Sequence, residues 1–176
     1  EPIILGENLV KSSIFNRSGR VTMDDLMALE QSSNVYMFKI AMSMGGLSYY
    51  PYIGIASLLR DDTLQRLRNG YAQVGLGVPT GIDLPGETVG VIGVPDSPGK
   101  VLDIAIGQFD TYTPLQLVQY VSTIANGGYR VQPRLLKEIR KPSKDGETLG
   151  PLVREIEPNI LNRLDNTQAE IDRVRE

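Results

Sequence analysis

The chain has 176 residues and 19.4 kDa, one domain's worth of sequence, and its 41% hydrophobic and 22% charged composition excludes disorder and fibrous repeats. It contains no Cys, His or Trp, so a disulfide framework, a thiolate nucleophile, a Cys/His zinc site and any triad with an imidazole base are all excluded. Eighteen basic against twenty-one acidic residues give a net charge of −3 and a pI near 5.1, with no basic footprint for nucleic acid or an anionic membrane surface.

Residues 1–20 read as an extended lead-in, with Ile3, Ile4 and Leu5 apolar and a turn at Ser18-Gly19. The chain opens on Glu1-Pro2 instead of Met, and a helical pattern is still running at its end, so it reads as a segment of something longer. Residues 21–128 are expected to form a helical subdomain. Thr22 with Asp25 is a capping-box variant that opens a helix over 23–31, stopped by Ser32-Ser33-Asn34. Asn34 is a good cap for a second helix over 35–44, closed by Gly45-Gly46. That helix carries Val35, Met37, Phe38, Ile40, Ala41, Met42 and Met44, a pattern that predicts burial on most sides.

The apolar runs at 53–59 and 104–106 are far shorter than the roughly 20 residues a spanning helix needs. Asp62-Thr63 begins a third helix that runs to Gln73. The acid pairs Asp24/Asp25 and Asp61/Asp62 sit at helix starts, where the dipole favours them. Residues 75–87 and 95–99 are rich in Gly and Pro and read as loops. Thr113-Pro114-Leu115-Gln116 is the clearest helix start, with a Thr cap, Pro at the first position and Gln three residues after the cap. Leu117, Val118, Val121, Ile124 and Ala125 form its apolar stripe, and Asn126-Gly127-Gly128 ends it. Residues 129–158 are expected to hold a hairpin, with strands over 134–140 and 152–157 about a turn at Asp145-Gly146. Residues 159–176 begin a further helical segment, with its helix over 167–175. The fold class is α+β, helix-rich, with one small hairpin.

Three motifs could carry chemistry. Ser32-Ser33-Asn34 places a hydroxyl able to pass on a proton beside a carboxamide that both donates and accepts, on a loop anchored against a core helix. Closing one helix and capping the next explains the same tripeptide. Ser97-Pro98-Gly99-Lys100 matches the Ser-x-x-Lys nucleophile motif, which works when a helix brings the amine beside the hydroxyl; in a Pro/Gly-rich loop the match is accidental. Gly75-x-Gly77 lacks the following helix of a dinucleotide loop and the Lys of a phosphate loop.

Together, ALEQSSNVYMFKIAMSMGG at 28–46, YAQVGLGVPTGIDLPGE at 71–87 and IGQFDTYTPLQLVQYVSTIANGGYRVQP at 106–133 resemble the class B penicillin-binding proteins. The likeness is strongest to the elongation-type, monofunctional transpeptidases of Gram-positive bacteria. It implies the helical subdomain of a transpeptidase fold with the central sheet largely absent. It further implies a serine D,D-transpeptidase that cross-links stem peptides ending in D-Ala-D-Ala, and that β-lactams acylate. Ser32 would correspond to the motif serine of the proton relay, and Asn34 to the motif asparagine that bonds the donor amide. The family's Ser-x-x-Lys and Lys-[Ser/Thr]-Gly motifs would lie outside residues 1–176, so these residues alone are expected to be inactive. No cofactor is implied. A SEDS-type glycan polymerase is the implied partner, and the extracytoplasmic face of the cell membrane the implied location. The alternatives are a β-lactam sensor or β-lactamase-like member of the superfamily, and a non-catalytic scaffold.

Overall fold

Helix starts in this chain are decided by which short polar side chain reaches a free backbone N–H. Asp24, with extended backbone, accepts the N–H of Met27 at 2.9 Å and so caps α1 (Asp25–Glu30). The cap is therefore Asp24 and not Thr22. Ser33 accepts the N–H of Tyr36 at 3.3 Å and caps α2 (Asn34–Met44). Asn34 is thereby the first residue of that helix rather than its cap. The computed structural model describes residues 2–6, 9–13, 21–50, 62–143 and 146–176. The expected turn at Ser18-Gly19, the apolar run 53–59, Asp61 and Asp145 of the hairpin turn lie outside the described residues.

The chain divides into two compact units, residues 1–72 with 90–112 and 176, and residues 73–89 with 113–175. In the first unit, β1 (Ile3–Gly6) pairs antiparallel with β2 (Leu9–Lys11), so the extended lead-in contains a small hairpin. Helices α1, α2 and α3 (Thr63–Gln73) follow as expected. Pro98 and Gly99, expected to lie in a loop over 95–99, begin α4 (Pro98–Ile104): Ser97 stands at its cap and Pro98 opens it, a position where the missing N–H costs nothing. The core gathers Ile3, Val35, Phe38, Ala41, Met42, Leu67, Val101, Leu102 and Ile104. Val35, Phe38, Ala41 and Met42 of α2 enter it, whereas Ile40, expected among its buried residues, is exposed. Arg68 of α3 locks this unit, reaching Asp110 at 3.0 Å, while Asp110 also accepts the N–H of Gly93 at 2.9 Å.

In the second unit, α5 (Pro114–Ala125) begins with the full capping box: Gln116 N–H donates to the Thr113 hydroxyl and Thr113 N–H to the Gln116 side chain. Its buried face is polar. Gln116, Gln119 and Thr123 are buried, whereas Leu117, Val118 and Val121 of the expected stripe are 46%, 61% and 61% exposed. The reason is hydrogen bonding: Gln116 donates to the carbonyls of Val78 and Val89, and Gln119 to those of Thr80 and Val131. Buried amides are tolerated when so satisfied. Three two-stranded pairs exist among the described residues instead of one hairpin. β4 (Glu138–Arg140) pairs with β5 (Leu152–Glu155), as expected, and β3 (Tyr129–Val131) pairs with β6 (Ile160–Arg163), which the sequence reading missed. Helix α6 (Gln168–Arg175) closes the unit, burying Ile171.

The segment 75–87 has no helix or strand, as its Gly and Pro content predicts. It is held by side chains. Glu87 accepts from the hydroxyl and N–H of Thr80 and from the N–H of Gly81; these bonds outweigh the upward push of burial and keep its carboxyl below the usual glutamate range. Buried Arg130 donates to Gln119 at 2.9 Å and to the Pro79 carbonyl at 2.6 Å. Gly75 has φ +95, and a Cβ there would lie 2.3 Å from the Gln119 side-chain oxygen, so only glycine fits.

Candidate functional site

The loop between α1 and α2 is the place where the strongest candidate residues meet. After Glu30 the chain tightens: Ser32 N–H bonds the Leu29 carbonyl at 3.0 Å, and Ser33 N–H the Ala28 carbonyl at 2.8 Å. Ser32 has φ +51, the left-handed region that few residues other than glycine adopt. Such a conformation persists only where its surroundings enforce it, and it is a recurrent feature of functional sites. Here it leaves Ser32 exposed while Ser33, the next residue, is buried at 3% exposure.

Ser33 is held by α2, whose first turn has free N–H groups to satisfy. Its hydroxyl takes that of Tyr36, and Ser13, arriving from the end of the β1–β2 segment, takes that of Val35 at 3.0 Å. The two buried hydroxyls stand 3.5 Å apart. The Val35 and Tyr36 N–H groups are thus capped without the Asn34 side chain. Among the described residues, neither the Ser32 hydroxyl nor the Asn34 carboxamide has a hydrogen-bond partner, so both remain available.

Ser32, Ser33 and Asn34 line one side of a cleft of about 240 Å³; Ala28, Leu29 and Met37 continue its wall, and Ala105 and Ile106 complete it. None of these residues is charged. The two residues singled out from sequence therefore share one cavity, on either side of a buried serine. Sequence reasoning missed Ser13, which stands 20 residues before Ser33 with no local signal, and it assigned no role to Ala105 and Ile106, which directly follow α4.

The Ser97–Lys100 pair lies elsewhere on this unit. Ser97 and Lys100 do lie at the cap and third positions of a helix, contrary to the loop expected. The ammonium, however, is paired with Asp96 at 2.8 Å and lies 5.7 Å from the Phe109 ring centre. Lys100 holds the Asp96 carboxyl below its usual range. An amine engaged as a cation with a carboxylate is a poor base for a neighbouring hydroxyl. Among the described residues there is no group of three or more carboxylates placed to hold a metal ion, and no helix is long and apolar enough to cross a membrane.

The penicillin binding protein transpeptidase domain model matches residues 8–176. The chain belongs to the penicillin-binding protein transpeptidase family. It is 47% identical over 175 residues to penicillin-binding protein H of Bacillus subtilis, covering 99% of this chain and 24% of that protein. It is 27% identical over 136 residues to the peptidoglycan D,D-transpeptidase MrdA of Haemophilus influenzae, covering 71% of this chain and 18% of that one. The structure of penicillin-binding protein 2B from Streptococcus pneumoniae R6 superposes with a TM-score of 0.90 at 34% identity, over 99% of this chain and 28% of that one. The chain thus spans about a quarter of the length of the first of these relatives. These matches agree with the class B resemblance and with the helix-rich α+β fold class.

Proposed function

We propose that these residues form the S-x-N wall of a serine D,D-transpeptidase that cross-links peptidoglycan and is acylated by β-lactams. In the reaction a serine oxygen attacks the penultimate D-Ala carbonyl, the amide C–N bond breaks, and the terminal D-Ala leaves carrying the proton. An amine from a neighbouring strand then attacks the acyl-serine, the ester C–O bond breaks, and the serine recovers a proton. Two easier exchanges replace one difficult one. Ser32 passes the proton and Asn34 holds the donor amide. The observation that carries this reading is that Ser32 and Asn34 line one uncharged cleft with their polar groups unengaged among the described residues, while Ser33 is buried between them.

Residues 1–176 contain no Lys-[Ser/Thr]-Gly, and their one Ser-x-x-Lys has its lysine paired with Asp96. The nucleophile therefore lies outside these residues, and they are inactive alone. The protein works on the extracytoplasmic face of the membrane, in the elongation machinery, with a SEDS-type polymerase as partner. The test is the rate at which a fluorescent penicillin acylates the full-length protein. Asn34→Ala slows it about tenfold, the value of one lost hydrogen bond. Ser32→Ala slows it about a hundredfold, at the lower end for a lost proton relay. Wild-type rates in both variants overturn the reading.

A further inference from the structure

One hydroxyl from outside the loop between α1 and α2 meets it on both sides of Asn34. Ser13 is 3% exposed; it accepts the N–H of Val35 at 3.0 Å, and its oxygen lies 3.5 Å from that of Ser33. Ser33 precedes Asn34 and Val35 follows it. Ser33 is also the residue after Ser32, whose φ of +51 persists only while its surroundings enforce it. The backbone N–H groups of Ser32 and Ser33 bond Leu29 and Ala28 of α1. Ser13 adds a tie to a different part of the unit.

The strand that delivers Ser13 is itself anchored. Lys11 ends β2; its ammonium pairs with the Asp103 carboxylate of α4 and lies 5.5 Å from the ring centre of Phe38 on α2. Residues two apart on a strand project to the same side, and Lys11 and Ser13 both meet α2. The ion pair is partly buried, with side chains 15% and 28% exposed, so salt screens it less than a surface pair. Residues 11–13 are thus a brace, fastened to α4 and α2 at one end and to the first turn of α2 at the other.

Resting on the transpeptidase reading above, we infer that Ser13 and Lys11 are positioning residues for that reaction, acting through Ser32 and Asn34 by holding the loop that carries them. A displacement of about 1 Å at a reacting group costs up to about a hundredfold in rate, so such a brace has a kinetic effect beyond its effect on stability.

The test measures second-order acylation constants of the full-length protein with benzylpenicillin, at a temperature where the variants are folded. Ser13→Ala lowers the constant about tenfold. In a protein already carrying Ser32→Ala and Asn34→Ala, the same change lowers it by less than about twofold, because residues that act through one another are not additive. Arg68→Lys, which weakens the unit at its pair with Asp110 instead, leaves the wild-type constant. Lys11→Met keeps the side chain's length, releases Asp103 and lowers the constant about threefold; it carries the test should Ser13→Ala fail to fold. Wild-type constants in the folded variants of Ser13 and Lys11, an undiminished effect in the doubly substituted protein, or an equal loss in Arg68→Lys overturns this inference alone. Wild-type constants in Ser32→Ala and Asn34→Ala overturn the site reading, and this inference with it.

Discussion

The hydroxyl of Ser13 accepts the backbone N–H of Val35 at 3.0 Å, across 22 residues of sequence. Ser33 takes the next N–H of the same helix turn, so two buried serines do the capping that Asn34 was expected to do. This division of labour leaves the Asn34 carboxamide out of the cap, and it ties the loop to the β1–β2 end of the unit. Ser13→Ala leaves the Val35 N–H buried and unpaired, costing about 1–3 kcal/mol in chemical denaturation. A change within a few tenths of a kcal/mol would mean that another group caps the turn.

Ser32 sits at φ +51, where a Cβ carries a steric penalty. Ser32→Ala and Ser32→Gly both lose the hydroxyl, but only glycine relieves the strain. Ser32→Gly is therefore the more stable of the two by about 1 kcal/mol, the reverse of the usual order within helices. Denaturant midpoints of the two variants decide it; alanine at least as stable as glycine would show that the loop relaxes at no cost.

The Asp110 side chain is 2% exposed and pairs with Arg68, whose own side chain is 24% exposed. Removing the arginine leaves a buried carboxylate whose remaining partner among the described residues is the Gly93 N–H. Arg68→Ala destabilises by about 3–5 kcal/mol. Arg68→Lys recovers only part, because the bidentate fork is lost. Equal stability of the lysine variant and wild type would contradict the geometry.

Glu87 binds Thr80 and Gly81 as a carboxylate, with its pKa below the ordinary glutamate value. A depressed folded-state pKa means stability that is fully present above the unfolded value and is lost as pH falls through the folded one. Glu87→Gln is less stable than wild type by about 2 kcal/mol at neutral pH, since hydrogen bonds to a charged acceptor are lost. The gap closes as pH drops below the usual glutamate range. A gap that stays constant from neutral pH to pH ~3 would mean the carboxylate charge contributes nothing.

Much of this fold is legible in the sequence where local chemistry suffices. The Thr113–Gln116 capping box, the end of α5 at Asn126 and the strands β4 and β5 follow from short-range signals, and the structure has them. The errors arise where distant partners decide. Pro98 and Gly99 look like breakers, yet Pro opens a helix well and Gly99 is buried in its first turn. Leu117, Val118 and Val121 form an apolar stripe, but Gln116 and Gln119 win the buried face because the backbone carbonyls of the 75–89 segment need donors. Ser32 and Asn34 were legible as a tripeptide and through the family likeness. The reason that Asn34 is free was not legible, since it depends on Ser13, a residue that folding alone brings there.

Intact-mass spectrometry of the full-length protein after incubation with benzylpenicillin, followed by peptide mapping, tests the central claim most directly. A β-lactam acylates by opening its ring and keeps its leaving nitrogen attached, so the adduct carries the whole mass of the drug. The account predicts a single adduct on a serine outside residues 1–176, formed more slowly in the Ser32→Ala and Asn34→Ala variants. An adduct on a serine within these residues, Ser97 above all, or no adduct on the protein, would contradict it.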